Sequence, residues 1–195
     1  MLNDRSSTLS LLETRRSGKP REMVPPGPSD EELQKILHIA MRVPDHGKLS
    51  PWRFVVVGKD QREHLALLLH KALQAEDECA GPAHHEKEDQ FARQGEALVV
   101  LVSSPIPDHK IPVWEQQLSA GAAAMNLLTA AHAMGFVGGW ITGWRAYSPM
   151  VNAAFAGPGE RIAGFIFIGS PGRELVERPR PDLAEIVRNW DPPAD

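Results

Sequence analysis

The 195 residues carry a net charge of −4, with 42% hydrophobic and 24% charged side chains. This is an ordinary globular balance that gives no global pull toward nucleic acid or an anionic membrane. The length suits one domain with its own core, so residues 1–195 are read as a single domain. The single cysteine, Cys79, excludes an internal disulfide and fits a reducing, cytoplasmic setting, and residues 1–20 lack the apolar core of an export signal.

In chain order, Leu9, Leu11 and Leu12 lead straight into Arg15-Arg16-Ser17, a short helix whose end presents two guanidiniums and a hydroxyl. Arginine donates to phosphate through a planar fork, and Ser17 adds a third donor. A solvated basic helix end, favoured by the helix dipole, accounts for the same residues. Residues 18–28 are rich in proline and glycine and read as a loop. Ser29 with Glu32 spells a capping box, and Leu33, Ile36, Leu37, Ala40 and Met41 continue it as one apolar helical face.

That helix must stop before Pro44, which begins a connector carrying Arg42, Asp45, His46, Lys48, Trp52 and Arg53. Phe54 to Val57 reads as a buried strand. Asp60 with Glu63 spells a second capping box before an apolar face of Leu65, Leu68, Leu69, Ala72 and Leu73. Residues 76–94 are mostly polar and read as a mobile excursion over the site, or simply as a solvated stretch. His84-His85 within it lacks the i, i+4 spacing that brings two imidazoles to one metal ion.

Ala97 to Val102 is a second strand, and a long helix runs from Val113 to Met134 with Gly135 as its terminator. The apolar run 118–141 is interrupted by Asn126, Thr129 and His132, so it reads as a buried helix rather than a membrane span. Its Ser119-to-Ala124 patch of small residues suits close approach of a helix, a second subunit or a flat ligand. His132 reads as a satisfied core or interface histidine rather than a base. Phe136 to Thr142 is glycine-rich around Trp140, Val151 to Phe155 is a short helix, and Ile162 to Ile168 is a third strand. A tail with Arg178 and Arg180 precedes a last helix capped by Asp182 and Glu185. Strands and helices mixed in this order predict an α+β sandwich around a mixed or antiparallel sheet.

On an acidic chain, three arginine groups (Arg15/Arg16, Arg42 with His46, Arg178/Arg180) point to one anionic ligand that gathers them. No G-x-G-x-x-G, P-loop or G-x-S-x-G pattern is present, and no Cys/His ligand set for zinc.

Five segments together resemble the nitroreductase family in its minimal branch. They are Arg15-Arg16-Ser17, the Arg42-to-His46 connector with Pro51-Trp52-Arg53-Phe54, Pro112 to Gln116 with Ser119-Ala120-Gly121, and Gly135 to Trp140, in the family's order. The resemblance implies a mainly antiparallel sheet flanked by helices, in an intertwined homodimer with FMN at the subunit interface. It further implies that Arg15, Arg16 and Ser17 hold the FMN phosphate and ribityl end. Arg178 and Arg180 close on that phosphate, and Arg42, Pro44 and His46 reach the flavin from the partner. Trp140, Ile141 and Thr142 line the isoalloxazine, and the segment from Ala130 to Gly135 meets the nicotinamide. The implied activity is reduction of nitroaromatics, quinones or similar small acceptors by NADH or NADPH in a ping-pong cycle, with no side chain as nucleophile. Alternatives are a flavin enzyme of another reaction type, or a non-catalytic dimeric module for a flavin or phosphate metabolite. Ile141 departs from the pattern, since minimal members carry arginine after the tryptophan.

Overall fold

In the computed structural model, which describes residues 1–193, the Ser7 hydroxyl accepts the Ser10 N–H and opens helix α1 (Thr8–Thr14). Leu11 turns inward, whereas Leu9 and Leu12 stay exposed. A two-residue strand, β1 (Met23–Val24), follows within the stretch read as a loop. The Ser29/Glu32 capping box forms as read and starts helix α2 (Asp30–Ala40), which buries Leu33, Ile36 and Ala40. The connector then feeds strand β2 (Trp52–Val57).

Helix α3 (Arg62–Glu76) begins after a 3-10 turn in which the Gln61 side chain accepts the Gly58 N–H. The Asp60/Glu63 box therefore gives way to a different cap, and Glu63 instead takes two hydrogen bonds from Arg93, both 2.7 Å. The reading of 76–94 as an excursion is corrected by helix α4 (Pro82–Arg93), which buries Glu88, Phe91 and Ala92. What polarity concealed is a three-residue inner face. Glu88 and Arg145 pair at 2.5 and 2.6 Å, and Arg145 also lies 4.1 Å over the Phe91 ring. Phe91 in turn meets Phe165 and Phe167 edge-on at 5.2 and 5.3 Å.

Strand β3 (Ala97–Ser103) precedes the long helix α5 (Val113–Ala133). The glycine-rich stretch after it forms strand β4 (Val137–Ile141), because tertiary pairing overrides the low strand preference of glycine. Helices α6 (Trp144–Tyr147) and α7 (Pro149–Phe155) lead to strand β5 (Arg161–Pro171), and among the described residues the tail holds one helix, α8 (Leu183–Ile186). Asp182 caps α8 by accepting the Ala184 N–H at 3.0 Å.

Every strand pairing is antiparallel. β5 is the central strand, with β3 on one edge and β4 on the other; β2 lies outside β3, and β1 pairs only with Ser170 and Pro171. Side-chain alternation along β3 and β5 sorts the core into two layers. Leu98, Val100, Val102, Phe165 and Phe167 pack against α3 and α4 on one face. Val99, Leu101, Ile166 and Ile168 pack against α2 and α5 on the other. Among the described residues no helix is long and apolar enough to cross a membrane.

Candidate functional site

A cavity of about 390 Å³ is lined by Arg15, Arg16, Ser17 and Arg178 together with Trp140 and Ile141. Met125 and Leu128, one turn apart on α5, add apolar wall. The basic residues come from two segments far apart in sequence, fastened where Arg16 Nε donates to the Val176 carbonyl at 2.9 Å. Arg15 also donates to the Ser17 hydroxyl at 3.2 Å, so the guanidinium and the hydroxyl converge. A cavity of this size, with few polar groups against apolar walls, is the usual form of a small-molecule site.

The loop that carries Arg15 to Ser17 is held from both sides. Asn3 accepts the Arg16 N–H at 2.7 Å and donates to the Arg16 carbonyl at 3.1 Å. Gly18 donates its N–H to the Gly138 carbonyl at 3.2 Å, docking the loop on β4. This approach requires Gly139, since a Cβ there would come within 2.7 Å of the Gly18 carbonyl. Trp140 is set by the neighbouring strand. A bulge leaves Ala163 out of the β3 pairing, and its carbonyl accepts Trp140 Nε1–H at 3.0 Å. The indole lies over Gly164, where a Cβ would fall 2.0 Å from Nε1.

The electrostatics favour an anion. Burial pushes the Arg15 guanidinium below its usual pKa, and the charges of Arg180 and Arg16 push it further. His132, wholly buried on α5, accepts the Gly138 N–H on Nε2 at 3.1 Å. Its Nδ1 is buried with no partner among the described residues, so the expected satisfied histidine is only half satisfied. Burial, with a smaller part from Arg15, lowers its pKa to about 4, and the ring is neutral at pH 7.

The connector residues lie elsewhere. The Arg42 carbonyl accepts from Asn126 at 3.2 Å, the Pro44 carbonyl from Ser119 at 2.5 Å, and His46 Nδ1 lies 2.9 Å from Glu115. Glu115, Ser119 and Asn126 form one helical stripe, so the connector rides along α5, and Arg42, Pro44 and His46 do not line this cavity. Thr142 lies just past the cavity wall, and Arg180 pairs with Glu177 at 3.2 Å beside it. Ala130, Ala131 and His132 are buried, and none of residues 130–135 lines this cavity; His132 and Gly135 instead line a separate cavity of about 320 Å³ with Arg5, Phe136 and Val137. Lys19, Met125 and Leu128 also line the cavity and were not singled out from sequence. For Met125 and Leu128 the one available signal was their place just after the small-residue patch of α5.

A central antiparallel sheet between two helical layers defines a class of fold also seen in solved structures. The nitroreductase-like family protein from Bacillus cereus superposes with a TM-score of 0.80 at 20% identity, covering 95% of this chain and 96% of that one. A provisionally named nitroreductase from Desulfovibrio desulfuricans, solved in complex with FMN, gives a TM-score of 0.69 at 22% identity, covering 95% and 98%. The model of the nitroreductase family matches residues 12–170. In sequence, the chain is 35% identical over 164 residues to YdjA of Escherichia coli (strain K12), provisionally named an NAD(P)H nitroreductase, covering 84% of this chain and 87% of that protein. The chain belongs to the nitroreductase family.

Proposed function

We propose that this protein is an FMN-dependent oxidoreductase that uses NADH or NADPH to reduce nitroaromatics, quinones or similar small acceptors in a ping-pong cycle. The observation that carries the reading is the pairing of Arg15, Arg16, Ser17 and Arg178 with Trp140, Ile141, Met125 and Leu128 around one cavity. A ligand with a phosphate and a flat apolar ring system satisfies both halves of that lining. The names of the relatives, which speak of FMN and NAD(P)H, support the same choice.

The residues fit the cofactor on chemical grounds. Guanidinium forks and the Ser17 hydroxyl donate to phosphate oxygens, with Arg180 close enough to depress the Arg15 pKa. Trp140 and Ile141 offer ring-facing surface, and Thr142 a polar contact at its margin. Bound there, the flavin supplies the hydride-accepting chemistry that no side chain of the site provides. The protein binds, orients and shields it.

The proposal extends to a homodimer in the cytoplasm. Arg42, Pro44 and His46 sit away from their own subunit's cavity, on a stripe of α5 flanked by exposed Trp114 and Leu118, which supports delivery to a partner's site. The outer edge of β2 has no strand beside it among the described residues, and the tail exposes Val176, Leu183, Ile186, Val187 and Trp190. Apolar surface of that kind marks a contact with another chain.

The test is a fluorescence titration with FMN. Arg15→Ala removes a charge-assisted donor and should weaken FMN binding by about ten- to a hundredfold. Riboflavin, lacking the phosphate, should bind both proteins alike. Equal FMN affinity in the two proteins would remove Arg15 from the phosphate site.

A further inference from the structure

We propose that the cavity of about 320 Å³ where the N-terminal segment meets the end of α5 and the start of β4 is a second ligand site, for a carboxylate carried on an apolar body. The proposal goes beyond the FMN reading and does not rest on it, because the two linings share no residue. Its central group is His132, which lines this cavity and is wholly buried. The ring accepts the Gly138 N–H on Nε2, so the neutral tautomer carries its proton on Nδ1. Burial keeps the ring neutral at pH 7. The Nδ1–H is therefore a buried donor, and it has no partner among the described residues. Such a group is costly to leave unpaired, and an entering acceptor relieves it.

Two guanidiniums, those of Arg5 and Arg173, line the same cavity. Arg5 is seated against Gly135, where the chain takes φ +96° to end α5 and a Cβ would fall 2.6 Å from Arg5 Nη1. The Gly135 N–H in turn donates to the His132 carbonyl at 3.0 Å, so one turn holds both Arg5 and His132. Among the described residues neither Arg5 nor Arg173 pairs with a carboxylate. Asn3, also in the lining, commits its side-chain oxygen and nitrogen to the Arg16 backbone. Glu174 is the one acid of the lining, and the two arginines outnumber it. A carboxylate takes donors on both oxygens, and it suits the guanidinium fork. Leu2, Phe136, Val137 and Leu175 supply surface for an apolar body, which a bare inorganic anion lacks.

The test is a calorimetric titration of the full chain with hydrocinnamate and with its uncharged amide. Native protein should bind the acid about tenfold more tightly than the amide. Arg5→Ala and Arg173→Ala, both at exposed positions, should each weaken the acid about three- to tenfold and leave the amide unchanged. In histidine-labelled protein followed by nitrogen NMR, saturation with the acid should shift the Nδ1 resonance of His132. Failure to bind the acid, equal binding of acid and amide, or an unmoved His132 nitrogen at saturation would each overturn the proposal. Weakening of the acid by Arg15→Ala but not by Arg5→Ala would also overturn it, by placing the acid in the arginine cavity. None of these results bears on the FMN reading, which is tested separately by the comparison of FMN with riboflavin.

Discussion

His132 stands on α5 one turn beyond the cavity-lining Leu128, with one ring nitrogen bonded and one bare. Nε2 holds the Gly138 N–H, and the Gly138 carbonyl holds Gly18, so the imidazole supports the β4 segment on which the arginine loop is docked. Its pKa falls from 6.5 to about 4 because burial disfavours the charged ring, with Arg15 adding to the effect. The unfolded chain therefore takes up a proton near pH 6.5 that the folded protein refuses until about pH 4. Folding stability is full above pH 6.5 and is lost as pH falls through the window toward 4, by up to about 3 kcal/mol. In urea unfolding from pH 7 to 4, native protein should show this loss, while His132→Gln, which keeps an acceptor but does not titrate, should lack that component. Parallel curves would refute the assignment. At this scale the sequence was partly readable. Arg15, Arg16 and Ser17 announced themselves by adjacency, because contiguous donors need no fold to be brought together. The bulge carbonyl of Ala163 and the flat of Gly164 that set Trp140 were invisible, since strand register is not written in either segment alone.

At the scale of elements, α4 shows how far three inward residues can carry a polar helix. Its outer residues are solvated, yet Glu88, Phe91 and Ala92 join it to α6 and to the face of β5. The Glu88 side chain is 4% exposed and that of Arg145 15%, so removing one charge strands the other in a poor solvent. Glu88→Gln should cost about 3–5 kcal/mol of unfolding free energy, measured by urea denaturation. A loss below about 1 kcal/mol would mean that the pair is effectively hydrated. The helix was missed from sequence because apolar periodicity is the primary signal, and here an ion pair replaces half of it. Strand β4 was missed for a related reason. Gly138 and Gly139 have low strand preference, and only the packing of Gly18 and Leu128 against them explains their presence. By contrast α2, β3 and α5 were legible almost to their ends, because caps and unbroken apolar faces are local signals.

For the whole molecule, the antiparallel sheet and its two helical layers place the arginine loop, β4 and α5 around one cavity, and leave the connector of residues 42–46 outside its lining. That separation gives the proposed dimer its logic: in it each subunit would hold phosphate with its own arginines and offer its connector to the other. Exposed Leu9, Leu12, Trp114 and the apolar tail supply surface for such a contact. The anaerobic visible absorption spectrum of the purified protein, after incubation with FMN and gel filtration, probes the central claim most directly. The account predicts a retained yellow flavin spectrum that bleaches when NADH or NADPH is added. A retained spectrum that neither nucleotide bleaches would make the protein a flavin-binding module without the proposed activity. A colourless protein after FMN loading would contradict the account at its root, and the arginine-lined cavity would then belong to another anion.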